Sequence, residues 1–458
     1  MKVVICGAGL VGYHIARYLA GAGHEVTVVD QRPELVQKIG ESLDIRGLVG
    51  HAAHPSTLEQ AGAEDADMLI AVTHVDEVNM VACQVAHSLF GVPTKIARVR
   101  EQDYLKPRWR ALFRRSHLPI DVVISPEVEV ARAVALRLEV PGSLNVISFV
   151  DDKVRLVALR CLAETPIVET PLGGLTTLFP DLHVFVVAIA RGERFFLPGP
   201  EDMLLAGDEV QIVVDSAHLN RVLPAFGYEV RESERVVIVG GGNIGLYLAQ
   251  ELESRHPALN LKVVERDGER ATLVAERLKR AIVLEGDARE REILEEAHVG
   301  AAEAVVAVTN NEEVNVMVGL LAKQLGCRRA MVLYNNPNYR RLIEAIDVDV
   351  GINPREITVS RILQHVRRGR ITSVHTLRDG EAEAFEAEAL ETSPVVGRPL
   401  RDLRLARTVV IGAVVRRGEV LMPRGDTVIA PGDRVVGVAR GEAVKRVEQL
   451  FAVRADYF

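Results

Sequence analysis

Short runs of β-branched and other apolar residues alternate with longer amphipathic segments through the first 120 or so residues of the chain. Continuous apolar runs such as 68–73 are typical of strands buried on both faces of a parallel sheet. Strands that alternate with helices predict an α/β, doubly wound sheet, whose ligand site lies beyond the carboxyl ends of the strands. The predicted strands are 3–6, 26–29, 48–50, 68–73, 95–99 and 122–124, and the predicted helices are 13–19, 33–39, 56–61 (capped by Ser56 or Thr57) and 76–90.

From residue 143 the pattern changes to short apolar strands joined by turns, which predicts a small α+β domain. No catalytic constellation is evident in this part of the sequence. The predicted strands are 146–150, 154–159, 183–190, 194–197 and 209–214, followed by a helix near 218–226.

Both patterns then occur a second time. The stretch 236–245 matches the opening stretch 3–12, Ala307-Val308-Thr309 matches Ala71-Val72-Thr73, and 430–435 parallels 205–210. A repeat of roughly 230 residues is far longer than a solenoid unit, so it indicates a duplicated pair of domains. The predicted domains are 1–123 and 232–354 (Rossmann-like) and 140–227 and 371–453 (small α+β).

Composition limits the class of protein. The 458 residues are 48% hydrophobic and 26% charged, which is typical of a globular protein with several domains. The net charge of −8 argues against a nucleic acid as the main ligand. Four cysteines stand in apolar contexts without paired or metal-ligand spacing, which favours buried thiols in a reducing compartment. Because the first predicted strand begins at Lys2, we expect no signal peptide, and no apolar run is long enough to predict a membrane helix.

The candidate chemistry lies in Gly7-x-Gly9-x-x-Gly12, which follows the first predicted strand and begins the first helix. Gly7 permits a tight turn, Gly9 lets a pyrophosphate approach the backbone, and Gly12 lets the helix lie close to the strand. Asp30, at the end of the second strand, is placed to accept hydrogen bonds from ribose hydroxyls and disfavours the 2′-phosphate of NADP. A purely structural turn is the alternative, and the second copy of the motif favours nucleotide binding.

These motifs, in the same order twice, resemble the regulator-of-potassium-conductance (RCK) family in its tandem form, over the whole chain. The resemblance rests on the glycine motif, the acid after the second strand, the Ala-Val-Thr strand end, the Glu-Val-Asn helix start and the small β-rich domain. It implies a cytoplasmic, non-enzymatic regulatory subunit that binds NAD(H), ATP or ADP in its Rossmann domains. It further implies a homo-oligomeric, tetrameric ring that is peripheral to the membrane and gates a membrane-embedded Trk-type potassium transporter.

The resemblance also implies the ligand-binding residues of both sites. Two departures indicate that the sites are not equivalent: His51 replaces the usual Asp or Asn in the first site, and Leu333 stands at the counterpart of Arg98 in the second. Arg100 and Asn310 are further candidates. The implied residues are Gly7, Ala8, Gly9, Leu10, Val11, Asp30, Thr73, His74 and Arg98 in the first site, and Gly240, Gly241, Gly242, Asn243, Ile244, Glu265 and Thr309 in the second.

Other polar groups have a simpler interpretation. His51 and His54 lack further metal ligands nearby in sequence, so loop histidines are favoured over a metal pair. The basic stretch 98–115 is interpreted as a solvated connector with Trp109 anchored, or as a docking surface for another subunit, rather than as a nucleic-acid patch. The arginines at 361, 367, 368 and 370 form its loose counterpart.

The main alternative function is that of an NAD-dependent dehydrogenase. It explains the predicted fold, but the sequence lacks a Tyr-x-x-x-Lys pair and a large domain to hold a substrate. The absence of Gly-x4-Gly-Lys-Ser/Thr disfavours P-loop ATP hydrolysis. A nucleotide sensor that acts on a different partner remains open.

Overall fold

A computed structural model describes residues 1–163, 165–178, 182–230, 234–336, 338–366, 371–403, 405 and 407–452. The described chain forms two compact units. The first unit contains residues 1–130 and 354–366, and the second contains the described parts of 131–353 and 367–458.

The first unit is built on a six-stranded sheet in the order β3-β2-β1-β4-β5-β6, with all strands parallel. This is the doubly wound order, and its switch point lies between β1 and β4. The strands are β1 Lys2–Cys6, β2 Glu25–Asp30, β3 Arg46–Val49, β4 Met68–Ala71, β5 Thr94–Arg98 and β6 Val122–Ile124, and the helices are α1 Leu10–Gly21, α2 Pro33–Ser42, α3 Pro55–Gln60, α4 Asp76–Ser88, α5 Gln102–Leu105 and α6 Pro126–Leu138, which continues into the second unit.

The core of the first unit explains its apolar sequence pattern. Every residue of β4 is buried, as expected for a strand covered by helices on both faces. Ile15 and Leu19 of α1 face the sheet. Helix α14 (Pro354–Leu363) packs against α1 and places Ile362 in the same core. A segment some 350 positions along the sequence therefore completes the first Rossmann core.

The second unit begins with an antiparallel sheet in the order β10-β9-β11-β8-β7, followed by a second parallel sheet in the order β14-β13-β12-β15-β16-β17. Its elements are β7 Asn145–Phe149, β8 Val154–Arg160, α7 Leu172–Leu178, β9 Val184–Arg191, β10 Arg194–Phe196, β11 Glu209–Asp215, α8 Leu219–Ala225, β12 Arg235–Val239, α9 Asn243–Arg255, β13 Asn260–Glu265, α10 Gly268–Arg277, β14 Ile282–Glu285, α11 Arg291–Glu296, β15 Ala304–Ala307, α12 Glu312–Gln324, β16 Arg329–Leu333, α13 Asn338–Ala345 and β17 Val350–Ile352.

A second antiparallel sheet, in the order β18-β19-β22-β20-β21, completes the unit. The predicted fold class is confirmed, because two Rossmann-like parallel sheets are each followed along the chain by a small α+β sheet. The remaining elements are β18 Ile371–Leu377, β19 Ala382–Glu388, β20 Val409–Arg416, β21 Glu419–Leu421, β22 Arg434–Arg440 and α15 Val444–Phe451.

The two antiparallel sheets pack face to face around one apolar core. At Gly412, an added Cβ would lie 2.6 Å from Cγ2 of Val213 and 2.8 Å from Cγ1 of Val187. The buried carboxylate of Glu386 on β19 also accepts a hydrogen bond of 2.9 Å from the backbone N–H of Val150, after β7. Close packing and the buried hydrogen bond to Glu386 therefore hold the two small domains together.

Arg329 connects the second Rossmann sheet to the end of α6 and the segment after it. Arg329, the first residue of β16, donates from Nη1 to the carbonyls of Arg137 (2.8 Å) and Val140 (3.2 Å), and from Nη2 to the carbonyl of Ser143. Burial lowers the pKa of Arg329 to about 10, so the guanidinium remains charged at neutral pH. This cation therefore binds one carbonyl in the last turn of α6 and two in the segment that follows the helix.

Some details differ from the sequence prediction. Helix α3 begins at Pro55 with His54 as its N-cap, so the prediction of a cap at Ser56 or Thr57 was wrong. Proline suits the first helical position because it lacks the N–H that would be unpaired there. Helix α6, in the gap between the first two predicted domains, was not predicted at all. Among the described residues, no helix has the length and apolar character needed to cross a membrane.

Candidate functional site

The first glycine motif forms a turn between β1 and α1 at the switch point of the first sheet. Gly7 has a φ of +114°, a conformation that side-chain-bearing residues rarely adopt. A Cβ on Gly12 would lie 1.8 Å from the carbonyl oxygen of Gly7, so only glycine lets the helix approach the turn this closely. Gly7 and Gly12 are therefore required by the backbone conformation and packing of the loop.

Gly9 lies on the open side of the same loop. It is the N-cap of α1, has no side-chain cap, and has no atom within 4 Å of an added Cβ. The N–H groups at a helix N-terminus lack partners within the helix and carry a partial positive charge. Space beside these donors is what an approaching phosphate requires.

Asp30 lies beside the loop, at the end of β2. Its Oδ2 accepts a hydrogen bond from the backbone N–H of Ala8 (2.7 Å), and its Oδ1 accepts one from the N–H of Arg32 (3.0 Å). The carboxylate thus fixes the loop and the start of the next segment together. Because each oxygen can accept more than one hydrogen bond, capacity remains for ribose hydroxyls.

The end of β4 lies against the loop on the other side of the switch point. A Cβ on Gly7 would be 3.0 Å from the backbone nitrogen of Thr73. The buried side chain of Asn79 accepts from the N–H of Thr73 (2.9 Å) and donates to the carbonyls of Thr73 (3.1 Å) and Arg98 (2.9 Å). Asn79 therefore holds the ends of β4 and β5 in register under the site.

Arg98 extends from the end of β5 toward this junction. Its Nη2 donates to the carbonyl of Thr73 (2.7 Å), and its buried Nε has no hydrogen-bond acceptor among the described residues. Burial lowers the pKa of Arg98, and repulsion from the charge of Arg100 lowers it further. A guanidinium that is partly desolvated and incompletely paired favours an anionic ligand.

The remaining predicted residues of the first site differ in their surroundings. Leu10 is 61% exposed at the start of α1, and His74 is exposed beside Thr73. Val11, by contrast, packs partly against the core. Arg100, the further candidate, pairs with Glu127 at 2.8 Å. The structure thus brings the glycine loop, Asp30, Thr73 and Arg98 together, whereas the charge of Arg100 is already matched.

The second glycine motif has the same geometry. Gly240 has a φ of +105°, and a Cβ on Gly245 would lie 1.9 Å from the carbonyl oxygen of Gly240. Gly242 is the N-cap of α9 and faces open space, as Gly9 does. Glu265 accepts from the N–H of Gly241 at 2.6 Å and corresponds to Asp30.

An asparagine also holds the strand ends together at the second site. Asn315 accepts from the N–H of Thr309 (2.9 Å) and donates to the carbonyl of Leu333 (2.9 Å). Ile244 follows Asn243 in the first turn of α9, where both are placed by the loop. Leu333 itself is buried, so the guanidinium found at Arg98 has no equivalent at this position.

A different arginine, which the sequence analysis did not select, lies at the second loop. Arg270 of α10 donates from Nε to the carbonyl of Gly241 (2.8 Å) and from Nη2 to Oδ1 of Asn243 (3.1 Å). In addition, Asp287 stands where the first half has His51. Hydrogen bonds from Arg289 lower the pKa of Asp287 to about 2, so this carboxylate is ionised at neutral pH.

The buried asparagines Asn79 and Asn315 were also missed as site residues. Their signal was present in the sequence, because the Glu-Val-Asn segment follows the Ala-Val-Thr strand end at the same distance in both halves. Arg270 had no such signal, since its counterpart in the first half is Leu35.

The other polar groups singled out in the sequence lie in simpler environments. His51 and His54 stack with ring centroids 4.4 Å apart, and Nδ1 of His51 accepts from the N–H of Ala53 (3.2 Å). No group of three or more potential metal ligands occurs in the described parts of the chain. Trp109 is 49% exposed with Arg108 over its ring, so the prediction that it is anchored was wrong. Arg361 pairs with Glu129, and the arginines at 367, 368 and 370 lie outside the described residues.

Solved structures with the same fold cover nearly the whole chain. The GsuK RCK domain covers 99% of this chain and 95% of its own, with a TM-score of 0.59 and 18% identity. The GsuK channel bound to NAD covers 99% of this chain and 79% of its own, with a TM-score of 0.59 and 17% identity. At this identity the similarity establishes the fold.

Sequence comparisons establish the family. The TrkA-N domain model matches residues 3–126 and 236–354, and the TrkA-C domain model matches 156–227 and 384–452. The Trk system potassium uptake protein TrkA of Azorhizobium caulinodans is 52% identical, with 100% of both chains covered. The protein of the same name from Halomonas elongata is 42% identical, again over 100% of both chains. The chain therefore belongs to the TrkA family of Trk system potassium uptake proteins, in the tandem TrkA-N and TrkA-C arrangement.

Proposed function

We propose that this chain is a nucleotide-binding regulatory subunit that gates a membrane-embedded potassium transporter of the Trk type. Membership of the TrkA family supports the role in potassium uptake. The observation that carries the nucleotide part is the open helix N-terminus at Gly9, which lies beside the Asp30 carboxylate and the incompletely paired guanidinium of Arg98.

Each group in the first site has a chemical role in this proposal. The loop N–H groups and Arg98 bind phosphate, Asp30 binds the ribose, and Thr73 and His74 lie beside the adenosine. The second site uses its own loop, Glu265 and Thr309 in the same way. The proposed ligand-binding residues are Gly7, Ala8, Gly9, Leu10, Val11, Asp30, Thr73, His74, Arg98, Gly240, Gly241, Gly242, Asn243, Ile244, Glu265 and Thr309.

The proposed regulatory ligands are NAD(H), ADP and ATP. All of them present free ribose hydroxyls to a carboxylate such as Asp30, whereas the 2′-phosphate of NADP is repelled by it. The GsuK channel, which has the same fold, has been solved bound to NAD. We further propose a tetrameric ring, held at the cytoplasmic face of the membrane through its transporter, with no enzymatic turnover. The proposed domain limits are 1–123, 140–227, 232–354 and 371–453.

The proposed mechanism is a ligand-driven shift between two arrangements of the assembly. A nucleotide can shift this equilibrium only by the difference in its affinity for the two arrangements. A difference of about 1.4–3 kcal/mol gives a shift of about ten- to hundredfold, which is sufficient to gate a transporter. The same coupling requires that the state of the transporter alters nucleotide affinity by an equal factor.

The test is to replace Arg98 with leucine, the residue found at its counterpart. In a Gly242→Val background, which silences the second site, Arg98→Leu should weaken ATP and ADP about ten- to hundredfold, because a charge-assisted hydrogen bond to phosphate is lost. Binding is measured by calorimetry, and potassium flux is measured in liposomes that contain the transporter. Arg110→Leu, which removes an exposed arginine of the 107–113 segment, provides the matched control.

Two results would contradict the proposal. Unchanged nucleotide affinity and flux in Arg98→Leu would remove Arg98 from the site. Absence of nucleotide binding by the unmutated protein would overturn the regulatory function as a whole.

A further inference from the structure

Arg270 places a guanidinium directly at the second glycine loop. The side chain begins on α10, immediately after the end of β13, and its two hydrogen bonds extend to the carbonyl of Gly241 and the side chain of Asn243. Its backbone N–H is held by Asp267, the N-cap of α10 (2.8 Å). Hydrogen bonds at its backbone N–H and at its guanidinium therefore fix the direction of the Arg270 side chain.

Both acceptors of the Arg270 side chain are neutral. The nearby Glu265 uses its two oxygens on the N–H groups of Gly241 (2.6 Å) and Asp267 (3.0 Å). In the part of the chain that the structure describes, no carboxylate forms an ion pair with Arg270, and its Nη1 has no acceptor. A positive charge next to the positive N-terminus of α9, without a countercharge of its own, favours an anion at that place.

The two halves of the chain exchange the positions of an arginine and a leucine. In the first half, the guanidinium comes from Arg98 at the end of β5, and the position equivalent to Arg270 holds Leu35, which packs against the core. In the second half, the β5 equivalent ends in Leu333, which is buried. Arg98 and Arg270 thus approach their loops from opposite sides of the switch point.

We infer that Arg270 is the phosphate-binding cation of the second site and gives it its own preference for nucleoside phosphates over nucleosides. This inference rests on the proposed nucleotide-binding function and deepens it. Leu333, at the counterpart of Arg98, indicated that the second site lacks this guanidinium. We infer instead that the second site has a guanidinium at a different position. Since Arg270 approaches from the side of the ribose acid, it contacts phosphate in a different orientation from Arg98, so the two sites differ in ligand preference.

The test measures ADP and adenosine separately at the second site. Purified full-length protein with Gly9→Val, which silences the first site, is titrated with each ligand by calorimetry. Arg270→Leu should weaken ADP about ten- to hundredfold and leave adenosine within about twofold, because only ADP offers phosphates to the guanidinium. Arg270→Lys keeps the charge but cannot hold both loop acceptors, so it should restore part of the ADP affinity. Arg277→Leu, two turns later on the same helix, makes the same change of charge at an exposed position and serves as the control.

The outcomes separate this inference from the proposed function. An Arg270→Leu variant that binds ADP as tightly as, or more tightly than, its parent would show that Arg270 only clamps or covers the loop. Equal loss of ADP and adenosine binding, without rescue by lysine, would also overturn the phosphate role. If the unmutated protein binds no nucleotide at either site, the proposed function fails first. Circular dichroism of every variant verifies that it is folded.

Discussion

The two sides of the first glycine loop should respond in opposite ways to an added side chain. Gly9 has no neighbouring atom within 4 Å of an added Cβ and has an extended backbone, with φ of −65° and ψ of −176°. Gly9→Val therefore adds its bulk on the ligand side. At Gly12, a Cβ would lie 1.8 Å from the carbonyl oxygen of Gly7, whereas real contacts stay beyond 3.0 Å. Gly12→Ala must therefore displace backbone.

These geometries set the expected magnitudes. Gly9→Val removes a residue type that N-caps favour, which lowers stability, but it also restricts the unfolded chain, which raises stability. The free energy of unfolding should therefore change by less than about 1 kcal/mol. Losing two charge-assisted hydrogen bonds to phosphate costs about 3–6 kcal/mol, or a factor of about 10²–10⁴ in affinity. Gly12→Ala should destabilise the first unit by about 3 kcal/mol, which lowers its melting temperature by about 5–10 °C.

Calorimetry and thermal melts of the two variants test this reasoning. Gly9→Val should lose one of the two nucleotide-binding equivalents and keep a melting temperature close to that of the parent. Gly12→Ala should melt earlier whether or not ligand is added. If Gly9→Val binds nucleotide at both sites with unchanged affinity, the loop does not bind phosphate. If Gly12→Ala is as stable as Gly9→Val, the packing argument is wrong.

Three further predictions concern the second unit and the whole chain. Gly412→Ala should destabilise the packed small domains by about 1–3 kcal/mol in urea unfolding, because its Cβ enters the shared core, whereas Gly425→Ala should be nearly neutral. Arg329→Leu should cost about 3 kcal/mol in the same assay, since it removes the hydrogen bonds of a buried guanidinium to the carbonyls of Arg137, Val140 and Ser143, whereas the exposed Arg328 should tolerate the same change. Incubation with NADH or ATP should give no sustained oxidation or hydrolysis above a Gly9→Val control, as expected for a regulatory subunit.

The Rossmann cores were predictable because their local signals agree with the fold. β4 is a continuous apolar run in sequence and is completely buried in the structure. The glycine loops were predictable for a different reason, since their backbone conformations and close contacts exclude other residues. The duplication then allowed each element of the second half to be aligned with one of the first. Where steric exclusion or burial on both faces decides the residue, sequence is sufficient to predict the structure.

Helix α6 was missed although its signal was present. Its first residues alternate Glu and Val, which resembles a half-buried strand. Only the later spacing of Val130, Val134 and Leu138 shows the helical face that is buried in the structure. The alternation at the start hid the helical period of the remainder.

The packing of the two small sheets could have been inferred in part. Five consecutive residues of β11 are buried, so both faces of this antiparallel strand are covered. An antiparallel sheet with two apolar faces needs a second layer, and its own helix covers only one face. What sequence alone does not provide is the identity of the covering layer. The structure shows that the covering layer is the other small sheet, because the absence of a side chain at Gly412 leaves room for Val187 and Val213.

Arg270 is the part of the candidate second site that was not predictable from the sequence. In the chain it belongs to a run of charged residues at the start of an exposed helix, which is typical of a solvated surface. Its position at the loop depends on a long side chain that folds back to a residue 29 positions earlier in the sequence. The path of such a side chain is determined by local hydrogen-bond partners, here Gly241 and Asn243, and not by the pattern of residue types.

Duplication within one chain explains how the two sites diverged while the fold was retained. In a symmetric assembly of single-domain copies, a guanidinium moved from one side of the loop to the other would move in every copy. Here Arg98 and Arg270 occupy different positions in the two halves, while Asn79 and Asn315 keep the strand ends in the same geometry. Under the proposed function, two sites with different ligand preferences would let one assembly respond to the ratio of two nucleotides, because each ligand would shift the equilibrium by its own differential affinity. In this proposal, ratio sensing depends both on the different positions of the two arginines and on the scaffold that the two halves share.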